Sequence, residues 1–314
     1  MHYELTTLTL LQIRGIGPKF ITNFWKSGPL VEKASDLFEH LRSSSNGRIH
    51  EKPTLKSLTE FWMRAESILE QCERDSITVL GKAKPLPKLI QKIPNAPLLL
   101  FLMGDNIVIE KPSVAIIGTR EPTEYGRKSG RRIAKILAEE GWVITSGLAE
   151  GCDTQAHEGC LEGNGNTIAV LAHGFGKIYP PKNKELADRI IDSGGCLVTE
   201  YPPGTPPTKS SFIERDRIQS GISCGVIVIE TDIKGGTMHT VGHAEAQKRK
   251  IATLSHPVAL LLGEKTRGNQ QLIKDGRAIP LVDRINLTDF VKSMMKLSES
   301  SDIVPYGGQT ELGF

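Results

Sequence analysis

The chain has few cysteines, and none of them are paired at short spacing. Five cysteines are scattered along the 314 residues, at positions Cys72, Cys152, Cys160, Cys196 and Cys224. The odd total and the lack of a CxxC pair argue against a disulfide framework and against a zinc site. This pattern indicates reduced thiols in a cytosolic protein.

The sequence also lacks a targeting signal and a membrane span. The N-terminal MHYELTTLTL has neither the basic start nor the long apolar core of a signal peptide. No stretch approaches the roughly 18 apolar residues that a membrane span needs. The net charge of +3 permits contact with nucleic acid but does not by itself argue for it. We expect a soluble cytoplasmic protein with no membrane partner.

Three regions of the chain differ in their pattern of apolar, polar and proline residues. Residues 1–70 show helical periodicity in LTTLTLLQIRGIGPKFITNFW and in LKSLTEFWMRAESILEQCE, separated by the polar RSSSNGRIHEKP, which is typical of a loop. Residues 76–112 form a connector with two strand-like runs, SITVLGK and APLLLFLMGD, around the proline-bearing KAKPLPKLIQKIP. We predict a small all-helical N-terminal module over 1–70, a main domain over 76–292 and a tail over 293–314.

From Ser113 onward, apolar strands alternate with helices. The candidate strands are SVAIIG, WVITSG, TIAVLAHG, GCLVTEYP, GVIVIET and KIATLSH, and GRKSGRRIAKILAEEG and GCDTQAHEGCLEG are helices between them. Short, wholly apolar strands are typical of a sheet buried on both faces, and parallel strands need crossover connections. The pattern predicts an α/β fold: an extended Rossmann-like parallel sheet with helices on both faces.

Three glycine turns follow predicted strands and could hold phosphate. They are Gly118-Thr119-Arg120, Ser146-Gly147-Leu148-Ala149-Glu150-Gly151 and Lys234-Gly235-Gly236-Thr237. The carboxyl ends of parallel strands share one edge of the sheet, where backbone amides and helix N-termini face a ligand. No turn is a GxGxxG or a P-loop, so we expect no dinucleotide cofactor. The alternative is that each glycine only makes a tight turn.

Two further segments are rich in arginine. The helix after the first turn carries Arg127, Lys128, Arg131, Arg132 and Lys135, which suit either a solvated face or a path for a polyanion. In SFIERDRIQSG, Arg215 and Arg217 could bind phosphate, and Phe212, on what we expect to be an extended segment, could stack on a base. The alternative places Phe212 in the core and pairs Arg215 with Asp216 or Glu214.

Two histidine-containing pairs could indicate a metal site or a hydrolase, but the sequence supports either one less strongly than it supports a phosphate site. His239 and His243 are four residues apart on an expected helix, but HExxH is absent and no third ligand accompanies them. Asp153 and His157 would need Ser146 as a nucleophile to act as a hydrolase. We therefore predict neither a metal site nor catalytic residues.

Six ordered motifs resemble the DNA-processing protein A (DprA/Smf) family. They are SVAIIGTR, TSGLAEGCDTQAH, TIAVLAHGFGKIYP, TEYP, FIERDRIQSGIS and GVIVIE, followed by GNQQLIKDGRAIPLVDRINLTDF. The resemblance runs from about Ile77 to Val291. It implies a dimer that binds and protects single-stranded DNA and helps to load a RecA-type recombinase. On this resemblance Arg120, Ser146, Gly147, Phe212, Arg215 and Arg217 would line the DNA pocket, and Lys234 and Thr237 would close it.

The sequence departs from the family pattern at several points. Ile213 and Asp216 stand where the family has proline and asparagine, and Gly235–Thr240 replaces a Ser-Gly-Ser segment. An aspartate in a phosphate pocket would repel the ligand unless Arg215 or Arg217 neutralised it. The chain also stops near Phe314 without the winged helix of many members. These departures suggest a divergent member, in transformation or in a mobile-element or phage-defence setting.

Two alternatives remain open at the level of sequence. Lys234–Thr240 resembles part of the PGGxGTxxE motif of lysine-decarboxylase-like enzymes, so the chain could be a nucleotide sensor or a nucleoside-monophosphate phosphoribohydrolase. In the N-terminal module, LLQIRGIGPKF is similar to a helix-hairpin-helix, whose Gly15-Ile16-Gly17 turn could bind a DNA phosphate. The same region in this family often serves as a SAM-like module for protein contacts.

Overall fold

The computed structural model describes residues 2–43 and 53–299. The chain divides into two compact units, one of Met1–Leu86 with Asn95–Leu102 and the other of Pro87–Pro94 with Met103–Phe314. The boundary that we place near residues 70–76 stays a prediction. Most of the predicted RSSSNGRIHEKP loop and of the predicted tail lies outside the described residues.

The first unit is helical, as predicted. Its helices are α1 (His2–Leu11), α2 (Pro18–Lys26), α3 (Ala34–Ser43) and α4 (Leu55–Arg74), followed by strand β1 (Thr78–Leu80), which pairs antiparallel with β2 (Leu100–Gly104). A proline at its first position begins α2, and the Thr54 side chain accepts a hydrogen bond from the Ser57 amide to begin α4. Both are standard at a helix start, because proline has no amide hydrogen to leave unbonded and the threonine oxygen accepts from one that would be.

The second unit is built on a parallel sheet, which confirms the predicted fold class. Its strands are β3 (Ser113–Ile117), β4 (Val143–Ser146), β5 (Thr167–Val170), β6 (Cys196–Thr199), β7 (Gly225–Val228), β8 (Lys250–Leu254) and β9 (Ile279–Leu281). They lie in the order β6-β5-β4-β3-β7-β8-β9, and neighbouring strands are parallel. The strand order reverses at β3, so loops from β3, β4 and β7 meet at one edge of the sheet.

Helices cover both faces of this sheet. They are α5 (Lys88–Gln91), α6 (Glu124–Glu139), α7 (Cys152–Glu162), α8 (Lys184–Asp192), α9 (Lys209–Gly221), α10 (Thr237–Ala246), α11 (Arg267–Lys274) and α12 (Arg284–Glu299). Val114 and Ile116 pack with α6, α7 and α12, whereas Ala115 and Ile117 pack with α10 and α11. Alternate residues of one strand therefore enter two cores, and each buried isoleucine or valine contributes about 1.5–3 kcal/mol.

The segment around Phe212 is helical, and our expectation of an extended segment there is wrong. Helix α9 begins after Thr208, whose side chain accepts from the Ser211 amide while the Ser211 hydroxyl accepts from the Thr208 amide. This reciprocal capping favours a helix start directly after the prolines at 206 and 207.

The five cysteines are free and buried. Burial raises the pKa of the Cys72 thiol to about 11 and that of Cys160 to about 12. Their thiolates are therefore scarce at neutral pH. In the part of the chain that the structure describes, no helix is both long and apolar enough to cross a membrane.

Candidate functional site

A cavity of about 200 Å³ opens where β3, β4 and β5 end. The loops after these strands and the start of α9 supply its walls. The lining residues are Arg120, Glu121, Gly147, Ala149, Glu150, Ala172, His173, Tyr179, Pro180, Phe212 and Arg215. Four residues that we predicted from the sequence, Arg120, Gly147, Phe212 and Arg215, therefore meet at one place.

The turn that carries Arg120 is held on two sides. The Thr119 amide donates to the Glu230 carbonyl over 2.7 Å, and the Cys152 amide donates to the Thr119 carbonyl over 3.1 Å. A Cβ on Gly118 would collide with the Cys152 side chain, so glycine allows this close approach. Arg120 itself is exposed, and the fixed turn presents its guanidinium to solvent at the cavity mouth.

The second turn, after β4, uses its donors within the protein. The Ser146 hydroxyl is buried and donates to the Ile116 carbonyl over 2.7 Å. The Asp153 carboxylate accepts from the amides of Gly147 (3.1 Å) and Ala149 (3.3 Å). These two amides are therefore bonded to a carboxylate of the chain itself. The turn they belong to forms part of the cavity wall.

Arg215 is a buried link between two strand ends. Its side chain is 7% exposed, and its Nη1 donates to the carbonyls of Gly147 (2.7 Å) and Val170 (2.6 Å). Its Nε donates to Asp216 over 3.1 Å. Part of this guanidinium lines the cavity, but most of its hydrogen bonds hold the loops after β4 and β5 together.

Asp216 lies between helices and does not line the cavity. Besides Arg215, it accepts a hydrogen bond from the Thr240 side chain on α10, and His243 lies near it. Burial raises the pKa of this carboxyl, although Arg215 opposes the rise. The pairing that we weighed as an alternative, Arg215 with Asp216, is therefore present.

An aromatic pair and a cation form the mouth of the cavity. The Arg120 Cζ lies 5.2 Å from the centroid of the Phe212 ring, within cation–π range. The Tyr179 ring lies 5.7 Å from that of Phe212 at an interplanar angle of 57°. Phe212 is half-buried and thus not a core residue. A flat ring with a neighbouring guanidinium is the arrangement that stacks a nucleobase and binds its phosphate.

Other predicted residues lie outside the cavity lining. Arg217 makes a two-point ion pair with Glu200, with N–O distances of 2.9 and 2.6 Å. The turn after β7 lies at the same sheet edge, where Lys234 and Gly236 are exposed and Gly235 and Thr237 are half-buried. On α6, Lys128, Arg131 and Lys135 pair with carboxylates, while Arg127 and Arg132 are exposed.

Sequence reasoning missed His173 and Tyr179, although their segment, TIAVLAHGFGKIYP, was recognised as a motif. The His173 Nδ1 lies 2.8 Å from the Gly174 carbonyl, and its Nε2 accepts from the Tyr179 amide over 3.2 Å. These partners require one donor and one acceptor nitrogen, that is, a neutral ring. Burial also lowers the pKa of His173. The histidine thus fixes the Tyr179 loop beside Phe212.

The residues considered for hydrolysis do not form a catalytic arrangement. His157 is buried, and its Nδ1 lies 2.7 Å from the Thr167 hydroxyl, while Ser146 donates elsewhere. Burial lowers the pKa of His157 to about 3. A serine nucleophile needs an imidazole base aimed at its hydroxyl, whereas the His157 Nδ1 bonds to Thr167 and the Ser146 hydroxyl donates to a carbonyl.

The sequence from residue 78 to residue 292 matches the family model of DNA recombination-mediator protein A. The chain belongs to this family. The DNA processing protein DprA of Bacillus subtilis is 33% identical over 80% of this chain and 84% of its own length. The family is described as a recombination mediator and not by an enzymatic reaction.

Solved structures of family members have the same fold. The X-ray structure of DNA processing protein A from Streptococcus pneumoniae superposes with a TM-score of 0.74 at 26% identity, covering 92% of this chain and 97% of that one. For the Helicobacter pylori protein, whose structure addresses its single-stranded DNA binding mode, the TM-score is 0.61 at 29% identity, covering 70% of this chain and 96% of that one.

Proposed function

We propose that this protein binds single-stranded DNA at the cavity beyond β3, β4 and β5. The observation that carries the proposal is the position of the Arg120 guanidinium over the Phe212 ring at the cavity mouth. A base would stack against Phe212 and Tyr179, and a flanking phosphate would pair with Arg120. Base–aromatic stacking of this kind contributes about 1–3 kcal/mol per base and tolerates any sequence.

The remaining predicted residues take supporting roles in this proposal. Gly118, Thr119, Ser146 and Gly147 hold the turns that shape the cavity, and Arg215 ties two of them together. The exposed Arg127 and Arg132 and the turn of Lys234, Gly235, Gly236 and Thr237 would extend the strand's path along the same sheet edge. Arg217, paired with Glu200, would shape α9 instead of binding phosphate.

Family membership supports a wider role. A recombination mediator would protect the strand and hand it to a RecA-type recombinase, in DNA uptake or in a mobile-element or defence setting, and would do so in the cytoplasm. We propose that it acts as a homodimer. Sedimentation velocity tests the dimer. Loading of a RecA-type recombinase onto strands pre-bound by this protein tests the transfer, and equal loading with and without the protein would refute it.

Fluorescence polarisation with labelled oligo-dT at increasing salt tests DNA binding. Wild type should bind, and its affinity should fall with salt as counterions are released. Arg120→Ala should weaken binding about fivefold to tenfold and reduce the logarithmic salt slope by about 0.7, the value for one phosphate of a single strand. Arg189→Ala, which removes an arginine of α8 paired with Glu158, is the matched control and should bind as wild type does. Absence of binding at low salt would contradict the proposal.

A further inference from the structure

Two carboxyl groups lie near the Arg215 guanidinium. Asp216 receives its Nε over 3.1 Å. Asp153 lies near the Arg215 Nη1, since a Cβ built on Gly147 would lie within 2.7 Å of both the Asp153 carboxylate and the Arg215 guanidinium. The guanidinium at the base of the cavity therefore has two carboxyl groups beside it; burial raises the pKa of both, and the Arg215 charge opposes the rise.

Solvent does little to screen this group of charges. The side chains of Arg215 and Asp216 are 7% and 14% exposed, and Asp153 is buried. The nearby histidines add no positive charge, because burial lowers the pKa values of His157 and His173. The base of the cavity is thus neutral to negative, although an arginine lies in it.

The walls of the cavity are suited to a flat, uncharged ligand. Phe212 and Tyr179 supply rings, and Ala149, Ala172 and Pro180 supply small apolar surface. Arg120 is exposed at the mouth, where Glu121 and Glu150 also lie, and each of these glutamates is paired with a lysine, Lys265 and Lys182 respectively. A phosphate would therefore be attracted to the mouth and not to the interior.

We propose that Asp216 determines which part of a nucleotide enters the cavity: by compensating Arg215, it makes the interior a site for the base and leaves the phosphates to Arg120. This inference rests on the proposed binding of single-stranded DNA. It assigns a positioning and specificity role to a residue that itself stays outside the cavity, packed against Thr240 of α10. Arg215 then acts as a link between loops and not as a phosphate ligand.

The variant Asp216→Asn tests the role, because it removes the charge while an amide oxygen can still accept from the Arg215 Nε. The probes are oligo-dT and an abasic strand of equal length, which has the same phosphates but no bases. Wild type should prefer oligo-dT by about tenfold, since stacking is lost on the abasic strand. Asp216→Asn should bind the abasic strand about threefold to tenfold more tightly, with a salt slope steeper by about 0.7.

Asp188→Asn is the matched control. It makes the same change of net charge on the exposed face of α8, where Asp188 pairs with Lys184, and should leave both affinities unchanged. Equal affinities of Asp216→Asn and Asp188→Asn for the abasic strand would overturn the inference, as would equal binding of both strands by wild type. Binding of neither strand would instead refute the proposed function.

Asp153→Asn, at the second carboxyl group near the guanidinium, is a second variant with the same expected direction. Its amide oxygen can still accept from the Gly147 and Ala149 amides. Circular dichroism of both variants shows whether they fold. If neither folds, the carboxylates are requirements of folding, and the inference is wrong.

Discussion

The Glu230 carboxylate accepts both the backbone amide and the hydroxyl of Thr123, over 2.7 and 2.6 Å. Thr123 is the cap of α6, so a buried acid two residues after β7 fixes the start of the helix that follows the Arg120 turn. A Cβ on Gly126 would lie within 2.6 Å of both carboxylate oxygens, which explains the glycine there. The turn after β3 is therefore anchored from the neighbouring strand.

Glu230→Gln should lower the free energy of unfolding by about 2 kcal/mol. Glutamine removes the charge and one of the two acceptor oxygens, and hydrogen bonds to a charged acceptor contribute about 1.5–3 kcal/mol. Urea denaturation measures the change. Glu124→Gln, at an exposed glutamate on the same helix, is the control and should change stability by less than about 0.5 kcal/mol. Equal stabilities of the two variants would contradict the claim that Glu230 anchors the start of α6.

Phe212→Leu should weaken oligo-dT binding about tenfold, because the ring is replaced by a side chain that cannot stack. Polarisation with labelled oligo-dT measures the loss. Ile213→Ala, at the next position of α9, removes a side chain that is 43% exposed and should bind as wild type does. A similar loss in both variants would indicate damage to α9 instead of loss of stacking.

Gly147→Ala should be strongly destabilising, by about 3 kcal/mol or more, because the added Cβ has no room beside Arg215 and Asp153. The control is Gly236→Ala. A Cβ there meets nothing within 4 Å, and its φ of −55° suits alanine. That variant should be neutral or more stable by about 0.5 kcal/mol. Thermal and urea unfolding compare the two, and a stable Gly147→Ala protein would show that the turn can shift.

Stability should fall in mild acid because of His157. Burial and the nearby Arg215 charge lower the pKa of this histidine from its ordinary 6.5 to about 3. Below pH 6.5 the unfolded chain therefore binds a proton that the folded chain does not. Each pH unit between 6 and 4 should remove about 1.4 kcal/mol of unfolding free energy on this account.

Urea denaturation across this pH range, compared with His157→Asn, isolates the contribution. The asparagine variant should show a shallower pH dependence by that amount, whereas the exposed His40→Asn should match wild type. Parallel pH profiles of wild type and His157→Asn would show that the histidine is not kept neutral in the fold.

The parallel sheet could be predicted because its strands are short apolar runs between helices, and burial on both faces requires that composition. Strand β9 was missed since Ile279-Pro280-Leu281 is short and contains a proline, which sheets tolerate at an edge. The helix at Phe212 was missed because the preceding prolines suggested extended chain. The Thr208 and Ser211 caps were the signal for it.

The meeting of Arg120, Gly147, Phe212 and Arg215 could be predicted from strand ends alone, because parallel strands bring their following loops to one edge. The carboxylate partners of Arg215 and Arg217 could not be predicted from the sequence. Glu200 lies 17 residues before Arg217, and Asp153 approaches Arg215 only through the fold. Whether an arginine binds a ligand or pairs with a carboxylate of the same chain depends on residues that are distant in sequence.

The buried cysteines make this chain convenient for site-specific labelling. All five thiols are enclosed, and burial raises their pKa values, so a maleimide dye should react with them slowly. A cysteine introduced by Ile213→Cys would be accessible on α9, beside Phe212. A fluorophore attached there would lie on α9 one residue from the cavity lining, in the otherwise natural protein.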